Sequence, residues 1–442
     1  MRELEVWLDA SPLPIGLLVA FDDGEVDFAY TDDWLNARDN HPISLSLPLS
    51  DEPMGDVLTR DFFGNLLQEN SQLDQVMERE GLARGDIVGL LSHLGADCAG
   101  AISVLALDHP PIKRPGNLGE DYHALSEEDF RDIVTRLATN KPLPDELRDP
   151  SPVAGYRPKI SLAAIPGKGF AVPRPGSGAP TTHIIKIPDP DHRHEARDEA
   201  FVTLLASGCD LPVGTCVEQT LGGHDYLLIK RFDRIVAGDL VTRIHQEDFA
   251  QAAGLPATLK YQRYGSTGRE FDAARIGKIL AATEQPARAR ALFLRMTLFN
   301  LLVGNNDNHA KNHGLLHFPG RAPQLAPFYD LVPVLTSAGF RDDLSFKIGT
   351  ATAADAVTRA DLEHFMVELG FAPSRSGHLL EAEARGVIGA LEKLAAGIPR
   401  EMGAIDRQVG SVAHQLNHIL GLGLDLRDRD APIVQGGGWI VS

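Results

Sequence analysis

The fold of this chain is decided by the stretch LLVGNNDNHAKN, residues 301–312. The apolar residues around its start, from Ala291 to Leu302, predict a buried helix, and Gly304 marks the end of that helix. Asp307 and Asn312 then have the spacing at which phosphoryl-transfer loops place a hydroxyl-orienting aspartate and a metal-binding asparagine. A polar cluster after a buried helix is costly to desolvate unless it pairs or binds a ligand. A capping loop is the alternative, because Asn and Asp also favour turns and caps.

The residues after this loop favour the phosphoryl-transfer interpretation. Residues 314–318 and 324–327 flank a Pro-Gly-Arg turn and predict a hairpin. Asp330 then follows Asp307 by 23 residues and offers a second carboxylate. Protein kinases deliver their catalytic base and two metal ligands in this order of helix, polar loop, hairpin and aspartate. We therefore predict Asp307 as the catalytic base, and Asn312 and Asp330 as ligands of Mg²⁺ that bridges the phosphates of ATP.

A phosphate-binding lysine is predicted upstream of the loop. Residues 181–188 form a β-rich run with Lys186 near its end, and Glu199 opens a predicted helix soon afterwards. In protein kinases a strand lysine contacts the nucleotide phosphates and a helix glutamate positions that lysine. The alternatives are an edge-strand lysine that reaches solvent and a surface glutamate in an ordinary salt bridge.

Two further stretches bear on nucleotide binding. The sequence VAGYRPK, residues 153–159, could cover phosphates with backbone N–H groups, although proline removes one donor and a plain turn would look the same. The sequence LLIKRFDR, residues 227–234, is typical both of an adenine-binding hinge and of any strand that leaves a core. The aspartates at 210 and 233 are interpreted as surface residues.

Composition sets the broad class of protein. A chain of 442 residues is too long for one ordinary core, so two or three domains are expected. A formal net charge of −19 disfavours nucleic-acid binding by the isolated chain unless it has a local basic face or a basic partner. Cys98, Cys209 and Cys216 lack metal-like spacing and fit a reduced cytoplasm. The N-terminus does not have the pattern of a signal peptide, and no apolar run reaches the length of a membrane span.

The pattern of helices, strands and linkers predicts five segments. The first, 1–108, is a small α+β domain of alternating strands and two helices. A connecting helix and a Pro-rich linker follow at 109–148. Residues 149–244 contain about five strands and one helix, which is the content of a kinase N-lobe, and residues 245–432 are mainly helical. The last segment, 433–442, is a Gly-rich tail.

Several motifs give the chain a family resemblance that spans nearly its whole length. Together they resemble HipA, the serine/threonine-kinase toxin of bacterial HipBA toxin–antitoxin modules. The matching motifs are PISLSLPL at 42–49, FFGNLL at 62–67, VAG at 153–155, TTHIIK at 181–186, RFDR at 231–234, DNHAKN at 307–312 and PFYD at 327–330.

The resemblance implies an α+β architecture: a two-lobed protein-kinase-like fold with an additional N-terminal α+β subdomain. It implies ATP and Mg²⁺ as cofactors. The nucleotide contacts that it implies are Ala154, Gly155, Tyr156, Arg157, Pro158, Lys159, Lys186, Lys230, Arg231, Phe232, His309, Ala310, Lys311, Asn312, Tyr329 and Asp330. It further implies a small HipB-like helix-turn-helix antitoxin, operator DNA bound through the antitoxin complex, and a substrate among the aminoacyl-tRNA synthetases. Phosphorylation of that substrate would inhibit translation and cause growth arrest or persistence.

The chain departs from the family pattern at the phosphate-covering loop. HipA-like toxins phosphorylate themselves on a serine just before the Val-Ala-Gly loop, but Pro152 occupies that position here and Ser151 precedes it. Autophosphorylation at Ser151 is therefore a hypothesis. No match is found for a basic DNA-contacting patch, so direct DNA contact is not expected. A small-molecule phosphotransferase of the same fold and a catalytically silent co-repressor module remain as alternative functions.

Overall fold

The computed structural model describes residues 1–9, 11–67, 71–144, 157–189, 192, 194–336, 343–395 and 397–427. Its strands are β1 (Arg2–Leu8), β2 (Gly16–Ala20), β3 (Val26–Tyr30), β4 (Ile102–Ala106), β5 (Gly116–Asn117), β6 (Tyr122–Ala124), β7 (Lys159–Ile165), β8 (Gly169–Pro173), β9 (His183–Lys186), β10 (Cys216–Leu221), β11 (His224–Lys230), β12 (Arg234–Ala237), β13 (Leu240–Arg243), β14 (His245–Asp248), β15 (Gly314–His317), β16 (Gln324–Leu325), β17 (Asp343–Ile348) and β18 (Ala351–Ala353). Its helices are α1 (Asp32–Leu35), α2 (Asp56–Gly64), α3 (Ser71–Glu80), α4 (Ile87–Leu94), α5 (Glu127–Ala138), α6 (Glu195–Gly208), α7 (Phe249–Ala252), α8 (Ala273–Ala281), α9 (Pro286–Val303), α10 (Arg359–Glu368), α11 (Pro373–Ala395) and α12 (Gly403–Leu420).

The chain folds into two compact units whose boundaries differ from the predicted segments. Unit 1 contains Met1–Ala196, Thr215–Ala257 and Gly314–Ala326. Unit 2 contains Arg197–Gly214, Thr258–His313 and the chain from Pro327 onward. The predicted N-terminal domain, linker and N-lobe therefore share one unit, and β14, β15 and β16 join them although sequence placed these strands in the helical segment.

The N-terminal part of unit 1 is an antiparallel sheet in the order β3-β2-β1-β4. Strands β2 and β3 alternate buried and less buried residues, as expected of a sheet with one face on a core. The phenylalanines Phe28, Phe62 and Phe63 lie fully buried in that core, where α2 and α4 also bury their apolar faces. The alternating residues at 42–49 form no regular strand, and only an isolated bridge joins Ser44 to Leu47.

A second sheet in unit 1 has the order β10-β11-β9-β7-β8-β6. Helix α5, from the predicted linker, covers one face of it, and Ile133 and Val134 of the helix are fully buried with Ile160 and Ile185 of the sheet. Ser126 begins α5 with a capping box, since its hydroxyl accepts a hydrogen bond from the Asp129 amide and its own amide donates to the Asp129 carboxylate. The helix predicted within the linker segment therefore packs on this six-stranded sheet.

Buried polar contacts join the N-terminal sheet to the rest of unit 1. The Glu247 carboxylate of β14 accepts a hydrogen bond from the Ser44 hydroxyl at 2.5 Å and bonds His317 Nε2 of β15 at 2.8 Å. Lys113 Nζ lies 2.7 Å from an Asp97 carboxylate oxygen and is almost fully buried. Removing one partner of such a buried pair is costly, so these contacts fix the N-terminal sheet on its neighbours.

Unit 2 is mainly helical and is organised around α9. Eleven residues of this helix are buried, including the run from Met296 to Val303, so it is buried around most of its circumference, as its apolar sequence predicts. Pro286 opens the helix and Gly304, at φ 74°, ends it in the left-handed conformation that glycine adopts without strain. In the part of the chain described here, no helix combines the length and apolar character needed to cross a membrane.

Candidate active site

The loop after α9 is held by its own hydrogen bonds. Asp307 donates its amide to Asn305 Oδ1 at 3.2 Å, and Asn312 donates from Nδ2 to the Asp307 carbonyl at 2.7 Å. Gly304 and Asn305 cap the helix by donating their amides to carbonyls of its last turn. The backbone amides of Gly304 and Asn305 therefore form the helix cap, and the Asn312 side chain fixes the loop. The catalytic role of Asp307 and the metal-binding role of Asn312 stay predictions.

Asp307 lies half-buried among groups with opposing effects on its charge. Burial raises the pKa of the Asp307 carboxyl, and the neighbouring charge of Asp330 raises it further. A hydrogen bond from the Tyr261 hydroxyl to Asp307 Oδ1 acts in the opposite direction, as do the cations of Lys260 and Arg263. A carboxylate with a raised pKa is a better proton acceptor, which suits the predicted catalytic base.

Asn312 and Asp330 lie in the same unit as Asp307, and the charge of Asp330 acts on the Asp307 carboxyl. Asn312 is 8% exposed, and its Nδ2 bond to the Asp307 carbonyl leaves Oδ1 as the atom able to bind a cation. Asp330 adopts a left-handed backbone conformation with φ 57°, which is uncommon for a residue other than glycine and is often found at functional sites.

The donor set fits Mg²⁺. The described residues contain no cluster of three or more His, Cys, Asp or Glu side chains arranged for a metal. A kinase-type site needs fewer, because one aspartate, one asparagine and the phosphate oxygens supply the ligands. The unfavourable interaction between Asp307 and Asp330 would be offset by a divalent cation beside them.

Other residues of the loop are fixed by packing. His309 is 8% exposed, and its ring meets that of Tyr261 edge-on at 4.9 Å. Burial and the charge of Lys260 lower the pKa of His309 to about 3, so the imidazole is neutral. Ala310 donates its amide to the Lys260 carbonyl at 3.0 Å. The Lys311 carbonyl accepts a hydrogen bond from the Tyr329 hydroxyl. The nucleotide contacts predicted for His309, Ala310 and Lys311 stay predictions.

Lys186 lies on β9 in unit 1, directly opposite Lys159 of β7. Paired residues of antiparallel strands point to the same face, so the two ammonium groups share one face of the six-stranded sheet. The phosphate contacts predicted for Lys186 and Lys159 stay predictions.

Arg157, predicted to contact nucleotide, is engaged within unit 1. Its guanidinium forms ion pairs with the carboxylates of Asp189 and Glu195, the second at 2.6 Å. The Pro158 carbonyl accepts the Ile187 amide at 2.9 Å. The charge of Arg157 is thus already compensated. Residues 154–156 of the same loop, and Ser151, lie outside the described residues.

The hinge prediction at 230–232 meets a constraint from the fold. The amide of Lys230 donates to the Thr215 carbonyl at 2.9 Å, and that of Arg231 donates to the Thr182 carbonyl at 3.0 Å. Lys230 pairs with His183, three positions from Lys186 on β9, so its side chain points to the face opposite that of Lys186. An adenine contact through these two amides would require both hydrogen bonds to be released.

Asp233 follows the hinge and is not a surface residue, so that prediction was wrong. It is 3% exposed and accepts hydrogen bonds from Arg231 at 2.8 Å and from Arg234 at 2.6 Å. Asp210 is exposed, as predicted. Glu199 is 4% exposed on α6 in unit 2, whereas Lys186 belongs to unit 1, and their pairing stays a prediction.

Sequence analysis missed Tyr261, whose hydroxyl bonds the predicted catalytic base. It lies 46 residues before Asp307, between two short helical turns at 257–259 and 262–264. No motif or spacing marks it. Only the fold of unit 2 brings it to the loop.

Comparisons with known proteins agree with this fold. Residues 151–398 match the family described as HipA-like C-terminal domain, and residues 4–105 match the HipA N-terminal domain. A putative kinase, Y4mE, from Sinorhizobium fredii is 32% identical over 89% of this chain and 92% of its own length. The serine/threonine-protein kinase toxin HipA of Shewanella oneidensis is 30% identical over 84% of each chain.

A solved structure shows the same likeness. It contains HipA of the Shewanella oneidensis toxin–antitoxin system with HipB and its operator DNA, and it aligns with a TM-score of 0.74 and 27% identity over 95% of this chain and 97% of the other. The chain belongs to the HipA family. The predicted class, a kinase-like α+β fold with an additional N-terminal subdomain, is confirmed.

Proposed function

We propose that this chain is a serine/threonine-protein kinase toxin of a type II toxin–antitoxin system, which transfers the γ-phosphate of ATP to a protein hydroxyl. The observation that carries the proposal is the loop at 307–312, where Asp307 has a raised pKa, Asn312 is fixed by a side-chain bond, and Asp330 stands close by. This combination has the composition of a kinase base and its metal ligands.

Each residue has a defined part in the proposed reaction. Asp307 accepts or orients the proton of the attacking hydroxyl, and its burial suits it to that task. Asn312 and Asp330 would hold Mg²⁺, which when bound would neutralise phosphate charge. Lys186, with Lys159 opposite it on the same face, would bind phosphate oxygens. Catalysis would then depend mostly on positioning and electrostatics.

The proposal extends to partners. A HipB-like helix-turn-helix antitoxin would neutralise the toxin and bind operator DNA with it, so that the complex represses its own operon. The support is the likeness to a HipA that was solved together with HipB and operator DNA. The net charge of −19 favours contact with DNA through the antitoxin over direct contact. The substrate proposed is an aminoacyl-tRNA synthetase in the cytoplasm, and Ser151 is proposed as a self-phosphorylation site.

Transfer of radiolabelled γ-phosphate to a bacterial lysate tests the proposal. We expect a labelled protein band in the presence of Mg²⁺. Label confined to small molecules would identify a small-molecule phosphotransferase instead, and no label in either fraction would favour a co-repressor without catalytic activity. Phosphoproteomics of cells that express the chain without its antitoxin would identify the substrate.

Substitutions of Lys186 and Lys168 provide a test variant and a matched control for the nucleotide site. Lys186→Met should lower kcat/KM for ATP by about 10- to 100-fold, because a charged hydrogen bond to phosphate contributes roughly 1.5–3 kcal/mol. Lys168→Met is the control, since Lys168 is exposed in the turn between β7 and β8 of the same sheet. Equal kinetics for both variants would contradict the assignment of Lys186.

A further inference from the structure

The hydroxyl of Tyr261 donates a hydrogen bond to Oδ1 of Asp307. Burial raises the pKa of the Tyr261 phenol, and the bond to Asp307 raises it further, so the hydroxyl keeps its proton at neutral pH. A protonated phenol beside a carboxylate acts as the donor. One oxygen of the predicted base is therefore already engaged by the protein, and Oδ2 remains for a substrate hydroxyl.

Tyr261 is fixed against the loop by its neighbours along the chain. The Lys260 carbonyl accepts the Ala310 amide at 3.0 Å, which ties the backbone before Tyr261 to the loop. After it, Gln262 Oε1 accepts the Lys347 amide of β17 at 2.7 Å. These bonds anchor the residues on both sides of the tyrosine, so its position does not depend on the side chain alone.

The ring itself is enclosed on two sides. The Arg263 guanidinium lies over it at 4.0 Å from the centroid, and the His309 ring meets it edge-on at 4.9 Å. A cation above an aromatic face is attracted by the ring quadrupole. The aromatic plane is thereby restricted, and the direction in which the hydroxyl points is restricted with it.

We propose that Tyr261 is a positioning residue of the phosphoryl-transfer reaction, which holds the Asp307 carboxylate so that Oδ2 faces the substrate hydroxyl. This inference rests on the proposed kinase function. A carboxylate without such a partner rotates about its Cβ–Cγ bond and spends less time in the productive orientation. Small misplacements of a catalytic group cost up to about 10²-fold in rate.

The competing interpretation is an inhibitory contact. The phenol could stand where the substrate hydroxyl must bind, in which case its removal would speed the reaction. The two interpretations predict opposite changes in kcat for the same substitution.

The test is steady-state kinetics of the full chain with Tyr261→Phe, which keeps the ring and removes the donor. We expect kcat to fall about 10- to 100-fold while KM for ATP stays within about twofold. The matched control is Tyr264→Phe, because Tyr264 is 55% exposed and packs edge-on to Tyr261 at 5.6 Å without a hydrogen bond to Asp307 among the described contacts. The control should keep kcat within about twofold.

A second variant separates the lost donor from any lost structure. Replacing Tyr261 with p-aminophenylalanine restores an N–H donor on the same ring and should recover most of the lost kcat. An unchanged or increased kcat in Tyr261→Phe overturns the inference, as does failure of the amino ring to rescue while urea midpoints match the parent. If the parent chain itself transfers no phosphate, the proposed function fails and the positioning role fails with it. If the parent is active and Tyr261→Phe has the same kcat, only the positioning role is overturned.

Discussion

Asp233 and Asp307 are both largely enclosed by protein, yet the pKa values of their carboxyl groups shift in opposite directions. Burial alone would raise the pKa of Asp233, but the charges of Arg231 and Arg234 outweigh it and hold that pKa far below its usual range. Burial also raises the pKa of Asp307, where the nearby Asp330 carboxylate adds to the effect and the Tyr261 hydroxyl opposes it only in part.

The difference separates a charge that is paired within the protein from one that we propose to be reactive. Asp233 makes direct ion pairs with two guanidiniums, at 2.8 and 2.6 Å, in a group with little exposure to water. Asp307 has a second carboxylate and a neutral phenol as neighbours, and the nearby cations of Lys260 and Arg263 do not outweigh its burial, so its pKa stays raised. A fold tolerates that cost where the group binds a cation or a proton during function.

The largest expected effect comes from Asp307→Asn. We expect phosphoryl transfer to fall at least about 10³-fold, because the amide cannot accept the hydroxyl proton. The melting temperature should be equal to or above that of the parent, since the substitution removes a buried charge next to Asp330. Kinase assays and thermal unfolding of the same preparation check both expectations. Retained activity would contradict the role of Asp307, and a large loss of stability would contradict its contrast with Asp233.

In contrast with Asp307→Asn, Asp233→Asn should lower the stability of the folded protein. The variant leaves two guanidiniums buried side by side, so we expect a loss of about 3–5 kcal/mol in the free energy of unfolding. Urea titration measures it. Asp239→Asn is the control, because Asp239 is exposed in the turn between β12 and β13 and should change stability by no more than about 0.5 kcal/mol. Equal midpoints for the two variants would show that the Asp233 ion pairs contribute little.

The smallest expected effect is the pH dependence of the difference in unfolding free energy between the parent and Asp233→Asn. Because the folded pKa of Asp233 is depressed, its contribution is fully present above the unfolded pKa of about 3.9 and is lost as pH falls toward the folded value. The difference in unfolding free energy between the parent and Asp233→Asn should therefore be constant between about pH 5 and 7 and shrink near pH 3. Urea titrations at these values check it, and a difference that grows at low pH would reverse the assigned sign.

Local sequence was sufficient wherever a pattern of neighbours decides the structure. The apolar residues before Gly304 predicted α9, and the segments around the Pro-Gly-Arg turn predicted the pairing of β15 with β16, which the structure confirms. The Asp307 and Asn312 spacing was also visible because both lie on one loop. In each case the relevant contacts lie within a few residues along the chain.

Sequence failed where the deciding contact is distant. Asp233 looked like a surface residue because nothing in its neighbours shows that the short stretch with Arg231 and Arg234 is buried as a unit. The helix α5 was assigned to a linker because its apolar face gives no sign of which sheet it covers. Both features concern burial, which depends on the packing of several segments.

The sequence by itself determined the family, the order of the proposed catalytic residues and the elements on which they lie, since motif spacing and periodicity are properties of the chain. Only the tertiary structure decided the electrostatic state of each carboxylate. The pKa of Asp307 depends on Tyr261 and Asp330, and that of Asp233 on how deeply its arginine partners are buried. Charge–charge interactions and desolvation act through space, so they become defined only when the folded chain sets the distances.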